Sequence, residues 1–179
     1  MFTCVFAQEK YLLVVDVQRQ FYEDTPLEAD ALKMITNINQ IIEKTRTQNI
    51  IYIQASGKVL TISLKGVKVI PMIPDPEPDS LLNVVNTNIF SKTEADAFSL
   101  DTLNNFLNQN NIQEIMVTGL LAEKCIYKTA IGGLARGYTI YVVPEAILSK
   151  SEKTKNKALK KMKKKGIKVL PVKDIISPP

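Results

Sequence analysis

Val117-Thr118-Gly119-Leu120-Leu121-Ala122-Glu123-Lys124-Cys125-Ile126-Tyr127-Lys128-Thr129-Ala130 is the stretch that decides the fold. The apolar run Ile115, Met116, Val117 reads as a strand that ends in a glycine. A short loop follows, and Cys125 then opens a helix through Thr129, Ala130 and Leu134. Strand, tight loop and helix in that order form the joint of a parallel α/β sheet. The joint sets a thiol at a helix N-terminus on the carboxyl edge of the sheet, where open α/β sheets bind their ligands. The helix dipole and free amide N–H groups there favour a thiolate. The same position also suits a small buried packing residue.

Working outward, Tyr11-Leu12-Leu13-Val14-Val15 is a continuous apolar run that ends at Asp16. Such a run belongs to a strand buried on both faces. Ala31, Met34, Ile35, Ile38, Ile41 and Ile42 follow helical spacing and predict a helix from Leu27 to about Thr47. Ile50–Ile53 is a second buried strand, and Asn86–Phe90 a short one that Lys92 follows. Leu100, Leu103, Phe106 and Leu107 make a helix face with Asp101 in its first turn. Ile126 to Arg136 makes another, ended by Gly137. Thr139–Val143 is a strand stopped by Pro144; a lysine-rich helix ends near Gly166, and Ile167–Leu170 is the last strand. The segment Gln54–Val85, with Gly57, Gly66, Pro71, Pro74, Pro76 and Pro78, predicts an extended loop. Its Pro71–Pro78 part is either a pocket wall or a subunit contact. Alternating strands and helices give an α/β fold, a parallel sheet covered on both faces.

The chain has 179 residues, which fits one domain spanning 1–179 with its core at about 11–172. Its two cysteines, Cys4 and Cys125, form neither a disulfide framework nor a metal-ligand spacing, which points to a reducing, cytoplasmic setting. Met1–Ala7 is apolar but short and without a basic leader, so no signal peptide is expected, and no run is long enough to span a membrane. The net charge of +5 is concentrated after Lys150, at Lys153, Lys155, Lys157, Lys160, Lys161, Lys163, Lys164, Lys165 and Lys168. No aromatic or arginine interleaves with these lysines. That pattern is a solvated helix face with Ala158, Leu159 and Met162 inward, and no nucleic-acid partner is expected. The chain contains no histidine. Ser-His-Asp and Cys-His mechanisms, and histidine-ligated metal sites, are therefore excluded. Acid–base chemistry must come from carboxylates, lysine, tyrosine or the thiol.

Three strand ends then present Asp16, Lys92 and Cys125 toward one edge. A carboxylate at the end of a central strand is expensive to bury unless used or paired. Taken singly, Asp16 could cap a helix and Lys92 could be a surface lysine. Together they form a nucleophile–base–orienter set that needs no histidine.

The chain resembles the isochorismatase-like cysteine hydrolases, a superfamily that includes nicotinamidases and N-carbamoyl amidohydrolases. Four segments carry the resemblance: Leu12–Phe21 with its aspartate, glutamine and phenylalanine; Lys92 with Ala97-Phe98; Thr118-Gly119 through Cys125 to Thr129-Ala130; and Gly137-Tyr138 with the strand to Glu145-Ala146. The resemblance implies a three-layer Rossmann-like sandwich with a mostly parallel six-stranded sheet of order 3-2-1-4-5-6. It implies Asp16, Lys92 and Cys125 as the catalytic residues, with the backbone N–H groups of Leu121 and Cys125 as an oxyanion hole. It also implies a cis peptide between Leu120 and Leu121, and a homo-oligomer, either dimer or tetramer. The substrate implied is a small amide or carbamoyl compound. Vinyl-ether hydrolysis of isochorismate and a catalytically silent binding module are the alternatives.

The departures are local. Nicotinamidases carry a metal-binding aspartate and histidines after the second strand, where this chain reads Gln54-Ala55-Ser56-Gly57-Lys58; no metal or other cofactor is expected. Ala122, Glu123 and Lys124 replace the usual threonine, aspartate and small apolar residue of the nucleophile loop. Lys124 points either into the site or out to solvent or an interface. Gly132-Gly133 reads as a close helix or subunit contact. Phe21, Tyr22, Phe98 and Tyr127 are the candidates for pocket lining.

Overall fold

The computed structural model describes residues 9–56 and 77–177, together with the backbone of strands at 59–63 and 66–70. Cys4, Gly57, Lys58 and the prolines from Pro71 to Pro76 lie outside the described residues. The first half contains β1 (Tyr11–Val15), α1 (Glu28–Lys44), β2 (Ile50–Ala55), β3 (Val59–Ser63), β4 (Gly66–Ile70) and β5 (Ile89–Lys92). The second contains α2 (Asp101–Gln109), β6 (Glu114–Leu120), α3 (Tyr127–Ala135), β7 (Thr139–Leu148), α4 (Glu152–Lys164), β8 (Lys168–Val169) and α5 (Val172–Ile176).

Six strands form one sheet in the order β5-β2-β1-β6-β7-β8, and every neighbouring pair is parallel. Counted along the strands of this sheet, the order is 3-2-1-4-5-6, so β1 and β6 lie at its centre. Alternation along each strand sorts the core into two layers. Leu13, Val15, Ile51, Ile53, Ile115 and Val117 face α2, α3 and α4 through Leu103, Leu107, Ala130, Ala158 and Met162. Leu12, Val14, Ile50, Tyr52 and Met116 face α1 through Ala31, Met34, Ile35, Ile38 and Ile42. Because both faces are covered, the strands need continuous apolar runs rather than alternating ones.

The structure corrects several boundaries. β3 and β4 form a separate antiparallel hairpin inside the segment expected to be a loop. Its β-branched residues favour strand in spite of the nearby glycine and prolines. β7 does not stop at Pro144 but continues to Leu148. Its pairing with β6 slips between Val117↔Val142 and Gly119↔Ile147, and that irregularity accommodates a residue without an N–H. α1 ends at Lys44, and a 3₁₀ turn at Thr47–Asn49 leads into β2. Lys92 is the last residue of β5 rather than following it. The short α5, unforeseen in the sequence, closes the α1 face with Val172 and Ile175.

Candidate active site

The site begins with a close approach of backbones. Gly119 of β6 pairs with Val15 of β1 and has φ +111. A Cβ there would overlap the Val15 carbonyl, so only glycine fits. The chain then turns sharply after β1, with Asp16 in the left-handed region at φ 58. Its amide donates to Ile53 O at 2.8 Å. Two residues on, the Gln18 carboxamide clamps the end of β2, accepting from Ala55 N (2.8 Å) and donating to Ala55 O (3.3 Å). Ser56 N in turn donates to Lys92 O at 2.7 Å. The ends of β1, β2 and β5 are thereby tied together.

Across this junction Lys92 Nζ meets Asp16 Oδ2 at 2.8 Å, with side-chain exposures of only 2% and 4%. Among the described residues the other carboxylate oxygen, Oδ1, is buried without a hydrogen-bond partner. The thiol of Cys125 lies against the pair, and both Asp16 and Lys92 act on its proton. Burial pushes the thiol up to about 12. The Asp16 charge adds to this, and Lys92 opposes it. Burial also raises the Asp16 carboxyl above its usual range, against the pull of Lys92 and of the Cys125 thiol. Burial and the neighbouring carboxylate therefore oppose the thiolate that a helix N-terminus would favour, while Lys92 supports it.

Cys125 is not in α3 itself. It lies in a π-helical turn, Ala122–Ile126, that precedes the helix. The Leu121 carbonyl accepts from Lys124 N (2.9 Å) and from Ile126 N (3.3 Å), a register that passes over the Cys125 amide. The Leu120–Leu121 peptide bond is cis. Lys124 is exposed. Glu123 accepts from Ser149 Oγ (2.7 Å) and Lys150 N (3.4 Å). Thr129 Oγ1 accepts from Ala97 N at 3.0 Å, which fixes α3 to the segment after Lys92. The helix lies so close there that a Cβ at Gly132 would overlap the Asp96 carboxylate, and one at Gly133 would meet Phe98 and Ile140. The paired glycines thus serve a contact within the chain.

The four aromatics divide. Phe98 is fully buried and packs on Tyr138 with ring centroids 5.4 Å apart. Tyr22 is also closed off, its hydroxyl donating to Asp79 Oδ2 at 2.6 Å. Both rings are as buried as the Asp16–Lys92 pair itself. Phe21 and Tyr127 remain half-buried, and Tyr127 sits on the α4 side of the nucleophile turn. Sequence reasoning missed the Gln18 clamp, the Asp79 partner of Tyr22 and the Thr129 tether. Gln18 and Thr129 carried a signal, as parts of the motifs around Asp16 and Cys125, and Asp79 carried none. In the place of the nicotinamidase ligands stand Gln54, which is buried, Ala55 and Ser56. Among the described residues no group of three acidic or cysteine side chains could hold a metal ion.

Strand order and layering are those of the isochorismatase-like α/β hydrolases. Residues 10–174 match the Isochorismatase domain, and the chain belongs to that hydrolase family. It is 26% identical over 164 residues to isochorismatase family protein 2A of Dictyostelium discoideum, covering 87% of this chain and 74% of that one. It is 26% identical to the streptothricin hydrolase of Streptomyces noursei over 137 residues, 75% of this chain but only 52% of that protein. The solved structure of N-carbamoylsarcosine amidase from Thermoplasma acidophilum superposes with a TM-score of 0.69 at 22% identity, over 92% of this chain and 97% of that one.

Proposed function

We propose that this chain is a metal-independent cysteine hydrolase that cleaves a C–N bond of a small amide or carbamoyl compound through a thioester. The observation that carries this reading is the buried Asp16–Lys92 pair, with its partnerless Oδ1, set against the Cys125 thiol. Asp16 takes the thiol proton as the sulfur attacks the carbonyl carbon. Lys92 holds the carboxylate in place and limits the penalty of its burial. The backbone N–H groups of Leu121 and Cys125 take the developing oxyanion. Asp16 then passes the proton to the leaving nitrogen, the C–N bond breaks and an acyl-cysteine remains. Asp16 next deprotonates a water, which attacks the thioester. The carboxylic acid leaves and the thiol is restored.

The curated relative named as a hydrolase of streptothricin and the structural neighbour named as an amidase support the chemistry. Phe21, Tyr22, Phe98 and Tyr127 are the candidates for the pocket wall, the first and last of them half-buried. Exposed Leu81, Val84, Val85 and Ile89, on the segment entering the edge strand β5, support assembly into a homo-oligomer. Among the described residues no helix is long and apolar enough to cross a membrane. Sparse cysteine supports a reducing, cytoplasmic setting.

The test is a screen of small amides and carbamoyl compounds with the Cys125→Ala variant alongside. Amide hydrolysis should vanish in the variant. Activity on a vinyl ether that survives Cys125→Ala but not Asp16→Asn would instead favour the isochorismate-type reading. No turnover of any of these compounds by the folded wild type would favour a silent binding module.

A further inference from the structure

A cavity of about 380 Å³ opens between the start of α3 and α4, on the far side of the nucleophile turn. Ala158, itself buried, and the half-buried Tyr127 are among its lining residues. Lys128 from α3 and Lys157 and Lys161 from α4 also line it. Lys157 and Lys161 are one helical turn apart and so share a face. None of Asp16, Lys92 and Cys125 lines this space.

In its lining lysines outnumber acidic residues three to one. Among the described residues none of the three lysines forms an ion pair. The only acidic residue of the lining, Glu123, already accepts from Ser149 Oγ and Lys150 N. A solvated lysine face on a convex helix would scatter its charges. Here three lysines line one concavity of the size that takes small ligands, which begin at about 300 Å³. A monocarboxylate would leave half of the net charge of these lysines and Glu123 unmatched, whereas a phosphate group offers up to two negative charges and several acceptors to lysine.

The geometry points to a binding site in this cavity for a small phosphate-bearing ligand, such as a phosphomonoester or diphosphate. Tyr127 supplies an apolar wall for the organic part of such a ligand. Glu123 and Tyr127 flank Cys125 two residues to either side, so occupancy is transmitted to the nucleophile turn. The site stands independently of the thioester mechanism.

Inorganic pyrophosphate titrated into the full chain by calorimetry, at physiological ionic strength, is the direct test. Saturable binding at one site per chain is expected. It should weaken by about tenfold or more in Lys157→Gln/Lys161→Gln, the loss for two charge-assisted hydrogen bonds. It should be unchanged in Lys160→Gln/Lys164→Gln, which removes the same charge from the same helix outside the cavity. Saturation should also change the iodoacetamide reactivity of Cys125. Non-saturable binding, or equal weakening in both double variants, would reduce the cavity to a diffuse basic surface and overturn the proposal. So would tight binding of a single-stranded oligonucleotide that depends on Lys160 and Lys164, since that would make α4 a nucleic-acid face. An alkylation rate indifferent to saturating pyrophosphate would overturn the link to the nucleophile turn.

Discussion

Replacing Asp16 by asparagine should make Cys125 more reactive toward an alkylating agent while abolishing turnover. With the thiol pushed up to about 12, only about one molecule in ten thousand is thiolate at pH 8, against about a quarter for an ordinary cysteine. A more basic thiolate is intrinsically a better nucleophile, by about threefold per pKa unit. That recovers part of the loss and leaves alkylation roughly fiftyfold slower than for an ordinary cysteine. The Asp16 charge is the second cause of the upward shift, after burial. Removing it gives about tenfold more thiolate for each unit recovered, at about threefold lower nucleophilicity, so the rate rises about threefold per unit. The assay is the iodoacetamide rate at Cys125 from pH 7 to 11 in a Cys4→Ala background, run for wild type and Asp16→Asn. The wild-type rate should climb through this range without a plateau, and the variant should lie above it at every pH. A wild-type plateau below pH 8, or slower alkylation in Asp16→Asn, would refute the reasoning. Either would mean a resting thiolate paired with Lys92.

Other consequences follow from the same geometry. Lys92→Met should destabilise the protein by about 3–5 kcal/mol in urea unfolding, because it strands a buried carboxylate, and adding Asp16→Asn should recover most of that loss. The exposed Lys33–Asp30 pair, tested in the same way, should give under about 1 kcal/mol. Gly119→Ala should lower the melting temperature and remove activity together, since a Cβ meets the Val15 backbone beside Asp16; a fully active, equally stable variant would contradict the close approach. Ser151→Ala should lose about 1 kcal/mol with activity intact, because the hydroxyl caps α4 by accepting from Thr154 N. Stability should fall as pH rises through about 9 to 12, since the folded state keeps the Cys125 proton that the unfolded chain releases, and Cys125→Ala should flatten that fall.

The sheet was legible because its strands are buried on both faces. Leu12–Val15, Ile50–Ile53 and Ile115–Val117 can be read as continuous apolar runs only in a parallel arrangement. The helix faces from Ala31 to Ile42 and from Leu103 to Leu107 were equally plain. The hairpin β3–β4 was hidden because glycine and proline signals dominate its neighbourhood, while the pairing that makes it a hairpin is cross-strand. The length of β7 was hidden because a local rule about Pro144 cannot anticipate a register slip in the partner strand. In the site, the chemistry-bearing residues could be named from strand ends and motif order. The packing of the aromatics could not, since Phe98 and Tyr22 meet Tyr138 and Asp79, contacts far away in sequence. For the thiol, the dipole argument uses only the local helix, whereas the burial and the Asp16 carboxylate that oppose it arrive from other strands. The π register of Ala122–Ile126 left no mark in composition at all.

The central claim is that Cys125 carries the acyl group of the substrate. The most direct measurement is intact-protein mass spectrometry of acid-quenched reactions with a substrate from the amide and carbamoyl screen. The account predicts a mass increase equal to the acyl fragment, mapped to Cys125 and absent in Cys125→Ala. It also predicts that the adduct is no longer formed at a measurable rate in Asp16→Asn. Undiminished turnover by Cys125→Ala, with no adduct at any time in the wild type, would contradict it.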